Sequence, residues 1–100
     1  MIQQVVVITP DTTQSAAEVL GFIRTTLPND VIEYLNSCAS AGTRTTSVAA
    51  EDNVFTITTQ WHDDAVAQYK TLMADVSPVA AQTVADAGWS MVFTPLTADL

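Results

Sequence analysis

The apolar positions of this chain follow two rhythms, a period of two in some stretches and one close to 3.6 in others, and the switches between them outline its elements. Ile2 to Thr9 reads IQQVVVIT, with Val5 and Val7 on one face of an extended segment and Val6 and Ile8 on the other. A strand apolar on both faces suits the interior of a sheet covered on both sides. After Pro10 come Thr12, Thr13 and Ser15, each able to cap a helix, and then Ala16, Val19, Leu20, Ile23 and Leu27 at helical spacing. Pro28 interrupts that helix. A second one is predicted to restart with Asp30 and Glu33 spaced as a capping box, Val31, Tyr34, Leu35 and Cys38 as its apolar stripe, and Gly42 just past its end.

The second half follows a similar order. Thr43 to Ala49 is a Thr-rich strand, and Glu51-Asp52-Asn53 reads as a hairpin turn, since Asp and Asn tolerate left-handed backbone. Asn53 to Trp61 alternates cleanly, with Phe55, Ile57, Thr59 and Trp61 on one face and Val54, Thr56, Thr58 and Gln60 on the other. A helix is predicted from Asp63, burying Val66, Tyr69, Leu72 or Met73, and Val76. Ser77-Pro78 reads as a cap and first helical position for another, running through Val79, Thr83 and Val84 to Gly88. Trp89 to Leu96 is the last strand, with Trp89, Met91 and Phe93 on one face.

Each half is strand, helix, proline-marked break, helix, glycine, strand. This is a structural echo with few shared residues. The order predicts an α+β domain of ferredoxin-like βαββαβ type, each α a broken helix pair, with a four-stranded antiparallel sheet and helices on one face. The opposite face would present Val54, Thr56, Thr58, Gln60, Ser90, Val92 and Thr94. That face either meets water or packs against a second copy. The two-sided apolar strand Val5–Ile8 favours a homodimer.

Length and charge narrow the functions. The 100 residues make one domain, with 48% hydrophobic residues, too many for a disordered chain. With 3 Lys+Arg against 11 Asp+Glu the net charge is −8. Arg24, Arg44 and Lys70 are scattered along the sequence, so neither nucleic acid nor an anionic membrane is an expected partner. No apolar run reaches a membrane-spanning length and no basic leader precedes one, which points to a cytoplasmic location. Cys38 is the single cysteine and falls on an apolar helical stripe, where it reads as a small buried hydrophobe.

The stretch NVFTITTQWHDDAVAQY resembles the strand-to-helix corner of the dimeric α+β barrel superfamily, which includes antibiotic-biosynthesis-monooxygenase-like domains. The resemblance is carried by Trp61, Asp63 and Ala65 and by the βαββαβ order. It implies a homodimer with a pocket for a small apolar or aromatic molecule between sheet and helices. Some relatives oxidise aromatic compounds without a cofactor; others degrade haem, using an Asn on the first strand and a His on the second helix. This sequence has neither residue, which counts against haem degradation.

Candidate chemistry is sparse. His62, the lone histidine, is either a general base beside a pocket or an exposed residue ahead of a helix capped by Asp63. With Trp61 facing inward, alternation turns His62 away. His62, Asp63 and Asp64 are consecutive and do not converge as metal ligands. No phosphate-cradling glycine loop and no nucleophile elbow are present, so neither cofactor nor metal is expected. Trp61, Tyr69 and Trp89 are candidates for an aromatic pocket or for plain core. Arg44, a lone cation in a Thr-rich strand, would bind an anionic ligand or pair with an edge carboxylate, and the pair is the simpler reading. Without a convergent polar constellation, the sequence favours a non-catalytic self-associating or protein-binding module over a small-molecule-binding or oxygenase-like barrel.

Overall fold

In the computed structural model, which describes residues 1–93 and 97–98, the chain is an α+β domain of four antiparallel strands and four helices, with a two-residue fifth strand. The elements are β1 (Ile2–Thr9), α1 (Ala16–Thr25), α2 (Asn29–Ala41), β2 (Arg44–Glu51), β3 (Val54–Trp61), α3 (Asp63–Met73), α4 (Val76–Asp86), β4 (Ser90–Phe93) and β5 (Thr97–Ala98). The sheet order is β2-β3-β1-β4, all neighbours antiparallel, and β5 also pairs with β1. Each helix pair thus links two strands that run parallel with one antiparallel strand between them.

Local chemistry sets the boundaries. Ser15 caps α1: its Oγ accepts from the Glu18 N–H at 3.1 Å while Glu18 Oε1 accepts from the Ser15 N–H at 2.8 Å. The capping box therefore lies at Ser15 and Glu18, not at Asp30 and Glu33. The helix α2 starts at Asn29, so Asp30 is already inside its first turn, where its carboxylate accepts from the Val31 N–H. Gly42 ends α2 with φ 77°, the left-handed conformation that favours glycine. The β2–β3 hairpin turns on Asp52 and Asn53, with φ 53° and 62°, as two-residue loops of the primed type require.

Two expectations in the second half need correction. The helix α4 begins at Val76, two residues before Pro78, so Ser77 is inside it and not its cap. Pro78 is tolerated there because the first four N–H groups of a helix have no intrahelical partner. Its buried residues are Ala80 and Val84, whereas Val79 (64% exposed) and Thr83 face out. The strand β4 begins at Ser90; Trp89 precedes it and packs on Phe22, with ring centroids 4.4 Å apart. Thr94 lies outside the described residues.

Among the residues whose burial is described, the buried strand residues belong to one sheet face: Ile2 and Ile8 from β1, and Phe55, Ile57, Thr59 and Trp61 from β3. The apolar interior on that face is divided in two. Ile8, Val19, Phe55 and Ile57 form one cluster with Leu20, Ile23, Val48, Trp89 and Met91 around them. Ile2, Cys38, Trp61, Ala65 and Val66 form the other, flanked by Tyr34, Leu35 and Tyr69. Cys38 is a buried free thiol, as its place on the stripe predicts. Val7, Thr9, Val54, Thr56, Thr58, Ser90 and Val92 lie on the opposite face, half-buried or exposed, and Val92 is 64% exposed.

Candidate functional site

Between the two clusters the helical layer leaves a cavity of about 390 Å³ over the sheet. Close-packed interiors hold few voids larger than a water molecule, and ligand pockets run from roughly 300 to 1,000 Å³. The size places this space in the second class.

Its floor is graded. The antiparallel register sets Ile2, Trp61 and Arg44 side by side in one row, Gln4, Thr59 and Thr46 in the next, then Val6, Ile57 and Val48. Val6 and Ile8 in turn face Phe93 and Met91 of β4. Polarity therefore concentrates in the first two rows and disappears in the third. The Thr46 and Thr59 hydroxyls lie 3.3 Å apart across the strands. Leu20, Ile23 and Leu27 from one helix pair and Met73, Ala80 and Val84 from the other complete the apolar walls.

The polar end is built around Trp61. Its indole lies against Tyr69, with ring centroids 4.6 Å apart, and stacks with Tyr34 at 6.5 Å. Tyr34 donates to the Ala65 carbonyl at 2.7 Å, and Tyr69 donates weakly to Gln4 Oε1 at 3.5 Å. Burial pushes both phenols up, Tyr34 to about 12 with Cys38 adding to the effect. For Tyr69, Gln4 and Arg44 pull the other way. Both are neutral donors at physiological pH.

Arg44 lies with its Cζ 5.7 Å from the Trp61 ring centroid, a cation over an aromatic face. Its Nη1 donates to the Leu35 carbonyl in a long contact of 3.5 Å. Arg44 Nε and Trp61 Nε1 are buried with no hydrogen-bond partner among the described residues. Among the described residues no carboxylate is within ion-pair distance of Arg44, so the expected edge pair is not formed. The reason is placement: Arg44 sits in the Trp61 row on the helix-covered face, while Glu51, the acidic residue of its own strand, lies on the opposite face. Burial lowers the Arg44 pKa, Tyr69 opposes the shift, and the like charge of Arg24 adds to it.

The sequence-derived candidates are thus partly brought together. Trp61, Tyr69 and Arg44 line one cavity, and Trp89 does not. His62 is on the outside, at the N-cap of α3, beside Met1, Asp63 and Asp64. Its side chain makes no cap bond; Asp63 instead approaches the Met1 amine at 3.2 Å. Sequence reasoning missed Gln4 and Arg24. Arg24 and Arg44 are 20 positions apart in sequence, yet line the same cavity, which corrects the reading of the basic residues as scattered. The available signal was that Arg24 ends the apolar face of α1, one residue after Ile23.

No family model matches the chain, and no curated protein matches it. Among solved structures, it shares 15% identity with a hydantoinase/carbamoylase family amidase from Burkholderia ambifaria, at a TM-score of 0.41. That alignment covers 96% of this chain and 29% of the amidase chain. Among the described residues, no helix is long and apolar enough to cross a membrane.

Proposed function

We propose that this chain is a small-molecule-binding domain whose site is the cavity between sheet and helices. The observation that carries the reading is the cavity itself: a chain of this size leaves about 390 Å³ unfilled between two apolar clusters and lines it with aromatic and aliphatic side chains. Binding is favoured over turnover by the donors present. Arg44, Arg24 and the Tyr69 hydroxyl offer protons, and no described carboxylate, imidazole or thiol lines the cavity to accept one near neutral pH.

The fold reading that goes with this is a ferredoxin-like βαββαβ unit related to the dimeric α+β barrels. It is supported by β1 lying between β3 and β4, and by helix pairs linking β1 to β2 and β3 to β4. In that arrangement the opposite sheet face, with Val7, Val54 and Val92 among hydroxyls, is where two copies associate. The self-association expected from the sequence and the pocket are then compatible parts of one design.

The test of binding is tryptophan emission in a Trp89→Phe variant, leaving Trp61 as sole reporter, titrated with naphthalene-sized aromatic compounds. Saturable quenching that Ala80→Phe abolishes supports the site; no change with any compound removes it. Self-association is checked by light scattering, where a mass near twice 10.7 kDa is expected and Val92→Asp should return it to a single chain.

A further inference from the structure

The charges are distributed unevenly around the cavity. The chain has three basic residues, and two of them, Arg24 and Arg44, line it. Of the 11 acidic residues, all but Asp99 fall within the described residues, and none of those ten lines it. A protein with a net charge of −8 therefore holds a local excess of positive charge in this apolar recess. A cleft lined by charge of one sign, with low-dielectric walls, focuses the field and attracts the opposite sign.

The positive charge is also unsatisfied. Arg44 has a buried Nε without an acceptor, a long Nη1 contact and no described carboxylate near it. Burying a charged group without a partner is costly, and the cost is relieved by a counter-ion that a guanidinium holds in fork geometry. Among the described residues nothing is shaped to be that counter-ion. The floor adds direction: the rows run from Arg44 and Trp61, through Gln4, Thr59 and Thr46, to Val6, Ile57 and Val48. At about 3.3 Å per residue the first and third rows are roughly 13 Å apart, room for a head at one end and a flat body at the other. A singly charged head is favoured over a phosphate, because a second charge would add desolvation cost in a mostly apolar recess.

We propose that the cavity takes an amphipathic carboxylate: its head seated on Arg44 and Arg24 beside the Tyr69 hydroxyl, its flat apolar body lying over Val6 and Ile57 toward Met91. This rests on the binding reading above and names the ligand class for the same site. Trp61 serves twice, stacking under the guanidinium to fix it and walling the recess.

The experiment compares 2-naphthoate with 2-naphthalenemethanol, the same two rings with and without the charge, by titration calorimetry at pH 7. The acid should bind at least tenfold more tightly. Arg44→Gln should remove most of that preference, weakening the acid far more than the alcohol. Arg24→Gln, at an exposed helix end where folding is not at stake, should reduce the preference about threefold to tenfold, so the idea remains testable should Arg44→Gln fail to fold. Equal binding of both compounds to the natural chain would overturn the carboxylate assignment and leave the pocket standing. A preference for the acid that survives both Arg variants would also overturn it. Binding of neither compound would remove the pocket reading and this inference together.

Discussion

The guanidinium of Arg44 lies over the indole of Trp61, its Cζ 5.7 Å from the ring centroid, and each of the two side chains carries a buried nitrogen with no partner among the described residues. They are opposite each other in the β2–β3 register, so the backbone of the hairpin fixes their juxtaposition. A sheet position that holds a cation against an aromatic wall and leaves its buried Nε without an acceptor among the described residues is preorganised to receive one.

Trp61 is the largest fully buried side chain, 1% exposed, and joins Tyr34, Tyr69 and Cys38 in one cluster. Trp61→Ala should cost about 3–5 kcal/mol, enough to unfold much of a marginal domain. Trp61→Phe should cost clearly less, because the ring stack on Tyr69 is partly kept. Urea unfolding of both variants checks this; equal losses would mean the wall is not built by stacking.

Ala80 is buried and lines the cavity. Ala80→Leu places three more carbons in open space, and cavity filling of this kind commonly adds about 0.5–2 kcal/mol. The melting temperature should rise while aromatic ligands lose affinity. A destabilised variant would show that the recess is tighter than its volume indicates.

Asn53 ties the hairpin turn to the segment before α1. Its side-chain amide donates to the Thr12 carbonyl at 2.9 Å and its Oδ1 accepts from the Gln14 N–H at 3.0 Å, and its φ is 62°. Asn53→Ala loses both bonds and strains the backbone, about 2 kcal/mol together. Asn53→Gly relaxes the backbone but still loses the bonds, so it should fall between. If the two variants match, the strain term is absent.

The Glu18 carboxyl is held below its ordinary value of 4.5 by the Ser15 N–H and hydroxyl. A depressed folded-state pKa contributes stability that is present above the unfolded value and lost as pH falls through the folded one. The natural chain should therefore lose stability on acidification below about 4.5 in a way that Glu18→Gln does not. Urea midpoints for the two chains between neutral and strongly acid pH read the difference, and parallel curves would remove the capping carboxylate from the account.

The sheet was legible in the sequence wherever alternation and turn chemistry agreed. Phe55, Ile57, Thr59 and Trp61 declare a face by themselves, and Asp52-Asn53 announces its turn. The start of α4 was not legible. Ser77-Pro78 carries the usual signature of a cap and first turn, yet Pro78 is equally tolerated at the third position, so propensity alone cannot fix the register. The site was half legible. Trp61, Tyr69 and Arg44 stood out by type, whereas Gln4 and Arg24 became partners only when β1 was laid beside β3 and α1 was folded over the sheet. The fate of Arg44 turned on a question of faces, since an ion pair requires an acid on the same side and Glu51 is on the other.

The central place of β1 has a consequence in time. It is the first strand of the sequence to be made, yet its neighbours begin at Val54 and Ser90. Until those segments follow, VVVIT has no partner on either edge, and a β-branched run of that kind readily pairs with other chains. The hairpin of β2 and β3 is the sheet's one short-range pairing, so it is the piece able to form early and receive β1 along the exposed edge of β3. Closure by β4 needs the segment from Ser90 onward, and the rate of productive folding depends on how quickly that hairpin captures the waiting first strand.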